Sequence, residues 1–128
     1  MKFKYHYFEG KFLPIVPIKL KGRAEWVETM AFVDTGASYS LFHADIATIL
    51  GLDLESGEKW EMVIGDGNML VAYLHKVLVS IAGKEITATI GFSKGLGVGF
   101  YIIGRKSIFD NFIVSFNEKD KQIEFEPN

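Results

Sequence analysis

The stretch Ala31-Phe32-Val33-Asp34-Thr35-Gly36-Ala37-Ser38 runs from an apolar segment directly into an acid, a hydroxyl and a glycine. A run that ends this way reads as a strand delivering a carboxylate from the core to the surface. Asp, Thr, Gly and Ser are also turn formers, so a plain strand-terminating turn accounts for the same residues. At ordinary residue usage a triplet such as Asp34-Thr35-Gly36 arises by chance in roughly a few per cent of chains this long. What surrounds the stretch therefore decides its meaning.

Upstream, Ile15 to Leu20 and Trp26 to Val33 are two strand candidates that flank Lys21-Gly22-Arg23, where glycine offers the positive φ of a tight turn. At the N-terminus Phe3, Tyr5 and Tyr7 alternate with Lys2, Lys4 and His6, the period of an edge strand with one buried face. Downstream the period lengthens between Phe42 and Leu50. Ile46, Ile49 and Leu50 fall on one helical face, Asp45 lies in the first turn and Gly51 supplies the stop.

Lys59 to Ile64 and Met69 to Leu74 then flank Gly65-Asp66-Gly67-Asn68, a composition suited to a long hairpin. Val77 to Ile81 and Glu85 to Phe92 pair around Ala82-Gly83. The segment Ser93 to Gly99 holds Gly95, Gly97 and Gly99, so its backbone is loose or runs close beside another element. This GxGxG opens no helix and lacks a following acid at the spacing a dinucleotide site requires. Phe100 to Ile103 reads as a buried strand and Arg105 to Asn111 as a second short helix. Phe112 to Phe116 with Gln122 to Phe125 closes the chain as a hairpin over Asn117 to Lys121. The class is mostly β.

A chain of 128 residues lies within the usual size of one domain, so a single domain over residues 1–128 is expected. Its 48% hydrophobic and 23% charged content is that of a globular protein, which excludes disorder as the explanation. The net charge of −2 offers no field to hold a nucleic-acid backbone or an anionic membrane, so neither is an expected partner, and the aromatic and basic N-terminal strip is too short to change this. There is no cysteine, and His6, His43 and His75 show no metal-ligand spacing, so no metal or cofactor is expected. The most apolar uncharged stretch, Gly95 to Gly104, is about half a membrane span, and charges interrupt the N-terminus where a secretory signal would be apolar. A cytoplasmic location is the expectation.

A second element raises the weight of the first. Tyr101-Ile102-Ile103-Gly104-Arg105 stands after the long hairpin and immediately before the second short helix. Asp34-Thr35-Gly36-Ala37 and Ile102-Ile103-Gly104-Arg105, in this order and with that hairpin between them, resemble the catalytic loop and the paired-hydrophobic, glycine and arginine signature of the retropepsin-like aspartic proteases. The resemblance covers roughly Ile15 to Phe125. It implies a closed acid-protease β-barrel with a flap hairpin and one or two short helices.

The resemblance also implies an endopeptidase that activates water at an Asp dyad. One carboxylate must be ionised and the other protonated, and a chain with a single such loop obtains the second acid from a two-fold homodimer. Asp34, Thr35 and Gly36 would form the catalytic loop. Ala37, the flap tip Gly65, Asp66 and Gly67, and Val98 would bind an extended peptide or protein substrate. Ile102, Ile103, Gly104 and Arg105 would support the loop from beneath.

Several residues depart from the viral members. Ser38 and Tyr39 stand where those enzymes usually carry acids, so Arg105 lacks its expected partner and either pairs elsewhere or only caps and packs. Asp66 between two glycines is a good turn, or else it selects a basic substrate side chain or raises the ionisation of the dyad. The tail from Phe112 to Asn128 is longer than a minimal viral subunit requires. The alternative to an enzyme is a catalytically inactive dimeric peptide-binding or interaction module on the same fold.

Overall fold

The computed structural model describes residues 1–63, 67–97 and 101–128. In chain order the strands are β1 (Lys2–Lys4), β2 (His6–Phe8), β3 (Lys11–Leu13), β4 (Ile15–Lys21), β5 (Trp26–Val33) and β6 (Ser40–His43). After the helix α1 (Ala44–Leu50) come β7 (Glu58–Val63), β8 (Met69–Ile81), β9 (Lys84–Ser93), β10 (Tyr101–Ile103), β11 (Phe112–Asn117) and β12 (Gln122–Pro127).

Period-two patterning is realised directly in β4, where Val16, Ile18 and Leu20 are buried and Lys19 and Lys21 are exposed. β5 pairs with it antiparallel from Lys21↔Trp26 to Ile15↔Phe32. Gly22 does not adopt positive φ in the connecting turn. A side chain there would press on the Leu50 backbone at the end of α1, and this close approach accounts for the glycine. Ala82 and Gly83 do both take positive φ, the geometry of a two-residue hairpin, and they turn β8 into β9.

The helix is shorter than its sequence pattern because Ser40–His43 is a strand. His43 caps it through an Asp45 N–H donated to Nδ1, and Gly51 ends it in the left-handed conformation. Ala44, Ile46, Ala47 and Leu50 form its buried face, whereas Ile49 is 63% exposed. The second expected helix is reduced to a single 3₁₀ turn at Phe109–Asn111. Ser107 lies at φ 71°, outside helical space, so a helix running through from Arg105 is blocked. The two strands expected at Met69 to Leu74 and Val77 to Ile81 are one continuous β8.

The closed barrel expected from the sequence does not form. Among the described residues the strands make a mixed seven-stranded sheet in the order β4-β5-β10-β6-β9-β8-β7, a three-stranded sheet β1-β12-β11 and a separate β2-β3 ribbon. β10 is parallel to β5 and β6 is parallel to β9, while the remaining pairs of the large sheet are antiparallel. The reason lies in β8. Its first half pairs with β7 out to Val63↔Met69, and only near its far end does it touch β4, at Lys19↔Ser80 and Leu20↔Val79. β7 therefore ends the sheet as an edge, with Val63 71% exposed.

The main core gathers Phe42, Phe92, Ile103 and Phe125 with the inward residues of β4, β8 and β9. A smaller apolar cluster joins Leu70 and Ala72 of β8 to Leu41 of β6, with Met62, Leu96 and Ile102 against it. The chain ends join the core through the three-stranded sheet. The Met1 amine donates to the Phe125 carbonyl, the Phe125 N–H returns a bond to Met1, and Phe3 and Phe112 set ring edges against Phe125. No helix among the described residues is long and apolar enough to cross a membrane.

Phe42 is wholly buried and packs its ring against both Phe92 and Tyr101. Phe42→Ala is expected to cost about 3–5 kcal/mol, read as a lower urea midpoint at unchanged slope. A loss below about 1 kcal/mol would mean that this ring is not central to the core.

Candidate active site

β5 buries Ala31 and Val33, and Asp34 is the first residue past its end. The Asp34 N–H donates to the Ile103 carbonyl at 3.0 Å, which extends the parallel β5-β10 ladder by one step and fixes where the acid emerges. The chain then turns. The Ala37 N–H bonds the Asp34 carbonyl at 3.2 Å, and the Gly36 N–H donates to Asp34 Oδ1 at 2.8 Å. A backbone donor on a carboxylate limits its rotation. A side chain at position 36 would sit 3.2 Å from that same oxygen. Asp34 is partly buried, and Thr35 and Gly36 are exposed beside it.

A second segment holds the loop from the other side. The Arg105 N–H donates to the Ala37 carbonyl at 2.9 Å and the Lys106 N–H to the Ser38 carbonyl at 2.7 Å. Between these bonds and β10 stands Gly104, whose N–H donates to the buried Ser40 hydroxyl at 3.0 Å. Any side chain at 104 would meet the Tyr39 carbonyl and come within 2.9 Å of the Ala37 oxygen. The two backbones are thus as close as chains can come, and only glycine fits. Ile102 pairs with Phe32 on one side and Leu41 on the other, and Ile103 pairs with Val33 in the core. Arg105 is exposed, and its guanidinium makes no ion pair among the described residues.

Asp34, Thr35, Gly36, Ala37, Ile102, Ile103, Gly104 and Arg105 are therefore brought together, while Gly67 lies apart on the hairpin. Gly67 adopts φ 86° and is exposed. Gly65, Asp66 and Val98 lie outside the described residues. The hairpin nonetheless contacts the loop region through a pair that sequence reading missed. Tyr39, just past the Asp34 turn, sets its ring against Trp60 of β7 at 4.5 Å between centroids, edge to face. Nothing in the linear pattern signals this pair, because the contact depends on how β7 leaves the sheet.

A second group missed by sequence reading lies on the other flank of Asp34. Tyr5, Phe116 and Glu118 line one small depression with Asp34 and Thr35, walled by Pro14, Phe32 and Val33. The Tyr5 N–H bonds the Lys121 carbonyl, so the N-terminal chain is tied to the C-terminal turn. Tyr5 is 6% exposed, and its hydroxyl makes no hydrogen bond of good geometry. Burial, and then the negative Glu118, push this phenol above its ordinary value. Glu118 itself is held below the usual carboxylate range, chiefly by its hydrogen bond from Lys121.

Another depression, of about 660 Å³, contains neither Asp34 nor Thr35. His6, Thr29, His43, Asp45 and Tyr101 are among its walls. No three His, Asp or Glu side chains among the described residues are grouped to hold a metal.

No family model matches the sequence, and no curated protein matches it. Among solved structures the chain is similar to a retropepsin-like aspartic protease from Rickettsia conorii, with a TM-score of 0.67 and 20% identity over 96% of this chain and 97% of that one. The likeness at this identity is one of fold.

The packing at Gly104 makes a direct prediction. Ser40→Ala leaves the buried Gly104 N–H without its acceptor and is expected to cost about 1–3 kcal/mol. Gly104→Ala forces the Tyr39 and Ala37 carbonyls apart and is expected to cost about 3 kcal/mol. Both are read by chemical denaturation, and full stability of Gly104→Ala would show that the loop is not held by this approach.

Proposed function

We propose that this protein is an aspartic endopeptidase that works as a homodimer of one-domain subunits in the cytoplasm, cleaving extended peptide segments. The observation that supports it most is the setting of Asp34. Its carboxylate stands at a strand end, receives the Gly36 N–H at 2.8 Å, and is braced by β10 and Gly104 in a fold similar to that of a retropepsin-like aspartic protease.

In this reading two copies meet loop to loop on a two-fold axis, and the two Asp34 carboxylates share one proton because close carboxylates cannot both ionise cheaply. The ionised member removes a proton from water as the water oxygen attacks the peptide carbonyl carbon. The protonated member gives its proton to the carbonyl oxygen. The resulting tetrahedral diol collapses when a proton passes to the amine, the C–N bond breaks, and the shared-proton pair is restored. Thr35 fixes the orientation of the facing loops and Gly36 leaves room for the backbone donor. Ala37 is small enough to pack beneath substrate.

The β7-β8 hairpin acts as the flap and bonds the substrate main chain, with Gly65, Asp66, Gly67 and Val98 as substrate-binding residues. Leu70 of the hairpin packs with Leu41 and Ile102 beneath it, and the Tyr39–Trp60 contact adds a second attachment of the hairpin near the loop.

Peptide cleavage against pH tests the proposal. The wild type is expected to follow a bell-shaped curve whose limbs belong to the coupled pair, and Asp34→Asn, which alters both members at once, to lower kcat/KM roughly 10²–10⁴-fold with the circular dichroism unchanged. Equal cleavage by the variant would refute the dyad. A wild type that binds peptides without cleaving them would identify a binding module instead.

The hairpin contact gives a separate expectation. Trp60→Ala should raise KM about threefold to tenfold with a smaller fall in kcat, because it unseats the flap and leaves the carboxylates in place.

A further inference from the structure

Three loose ends lie around the Asp34 loop. Arg105, tied through its backbone to Ala37, is exposed and forms no ion pair among the described residues. The Tyr5 hydroxyl is buried, interacts with the Glu118 carboxylate and makes no hydrogen bond of good geometry. The depression that holds Tyr5 and Glu118 opens beside Asp34 and Thr35 and is empty of protein atoms. Buried polar groups in native proteins are normally well hydrogen-bonded, and this one is not.

The chemistry of that depression is specific. Phe32, Val33, Pro14 and Phe116 give it apolar walls, and the exposed Glu118 and the buried Tyr5 complete its lining. The bond from Lys121 engages only Oε2 of Glu118, and a carboxylate can accept several further donors. Such a socket suits a long side chain with an apolar stem and a cationic, multiply donating head. A guanidinium on its three-carbon stem has that shape.

We propose that the Tyr5–Glu118 socket receives Arg105 of a second copy of this chain, and that this pair of reciprocal contacts builds the subunit interface beside Asp34. The proposal rests on the dimeric reading above and goes beyond it by naming the contacting residues. A two-fold interface joining the Asp34 loops covers the mouth of the socket, since Asp34 and Thr35 are among its walls. It also brings the partner's Arg105 to the same surface, because Arg105 is bonded to the partner's own loop. By symmetry each copy gives one arginine and one socket.

The terminal strands favour this mode of contact. β1 and β12 already pair within one chain, at Lys2↔Glu124 through Lys4↔Gln122, and the Met1 amine is bonded to the Phe125 carbonyl. Each of these strands already has a partner within its own subunit, so two preformed subunits can dock through side chains. Folding and dimerisation are then separate steps, and Arg105 contributes to the second and not to the first. Burial and the Glu118 charge keep the Tyr5 phenol protonated, so its hydroxyl can donate toward the carboxylate and orient it for the guanidinium.

Analytical ultracentrifugation of full-length variants tests the contact. Arg105→Glu and Glu118→Arg should each, alone, raise the dimer Kd by roughly a hundredfold, since each places like charges in both sockets. Their thermal unfolding as monomers should stay unchanged. Mixed in equal amounts, the two variants should dimerise as tightly as the wild type within about a factor of three, because the mixed pair has one native and one exchanged contact. Tyr5→Phe should weaken the dimer about threefold to tenfold.

A wild type that dimerises while both single variants keep its Kd would overturn the socket and leave the dimeric protease reading standing. Failure of the mixture to rescue dimerisation would overturn it equally. A wild type that stays monomeric at high micromolar concentration would overturn the socket together with the reading on which it rests.

Discussion

β10 lies between β5 and β6, parallel to the first and antiparallel to the second, so the link from Val33 to Ser40 must cross its end. From this constraint follows most of the local structure. The crossing chain needs its carbonyls bonded, and the residues leaving β10 supply the donors, Arg105 N–H to Ala37 and Lys106 N–H to Ser38. For those bonds to reach, the two backbones must touch, and Gly104 is where they do. Ser40 completes the junction by accepting the Gly104 N–H inside the core, where water cannot replace it. Asp34 takes its position from the same crossing, one ladder step beyond β5.

The open edge of the large sheet has a similarly local cause. β8 is thirteen residues long, and its two halves serve different partners. The half next to β7 pairs with it at the edge of the sheet and carries Leu70 and Ala72 of the smaller apolar cluster, and the other half holds β9 and touches β4 briefly. Leu41, Met62 and Ile102 pack into the same cluster, which ties the hairpin to β6 and β10. Tyr39 reaches Trp60 of β7, so the segment next to the Asp34 turn and the hairpin are in contact through their aromatic rings.

The chain ends have a third role. By pairing β1 with β12 inside one chain, the fold completes its core without help, with Phe3, Phe112 and Phe125 packed edge to face. The same pairing carries Tyr5 to the C-terminal turn and creates, next to Asp34, a depression lined by Tyr5 and Glu118. Completion of the core and the character of the surface near the acid are thus consequences of one strand pairing. In the proposed dimer that surface would be a docking face and not a folding scaffold.

Periodicity and turn chemistry were enough to place most strands, because both are local. The alternation of β4, the positive-φ turn at Ala82 and Gly83, and the Gly51 stop of α1 are each set by a few consecutive residues. The nearness of the Asp34 and Ile102 strings was also legible, though only as a resemblance between motifs. Other features depended on contacts distant in sequence. Ser40–His43 is a strand because β9 and β10 flank it, overriding a pattern that also suits a helix. Gly22 is glycine because Leu50 lies against it, and Arg105 to Asn111 fails as a helix because Ser107 turns through positive φ. The open sheet, the Tyr39–Trp60 contact and the Tyr5–Glu118 depression were decided by tertiary structure alone. Each joins residues whose meeting depends on strand order and strand length across the whole sheet, and no window of sequence contains that information.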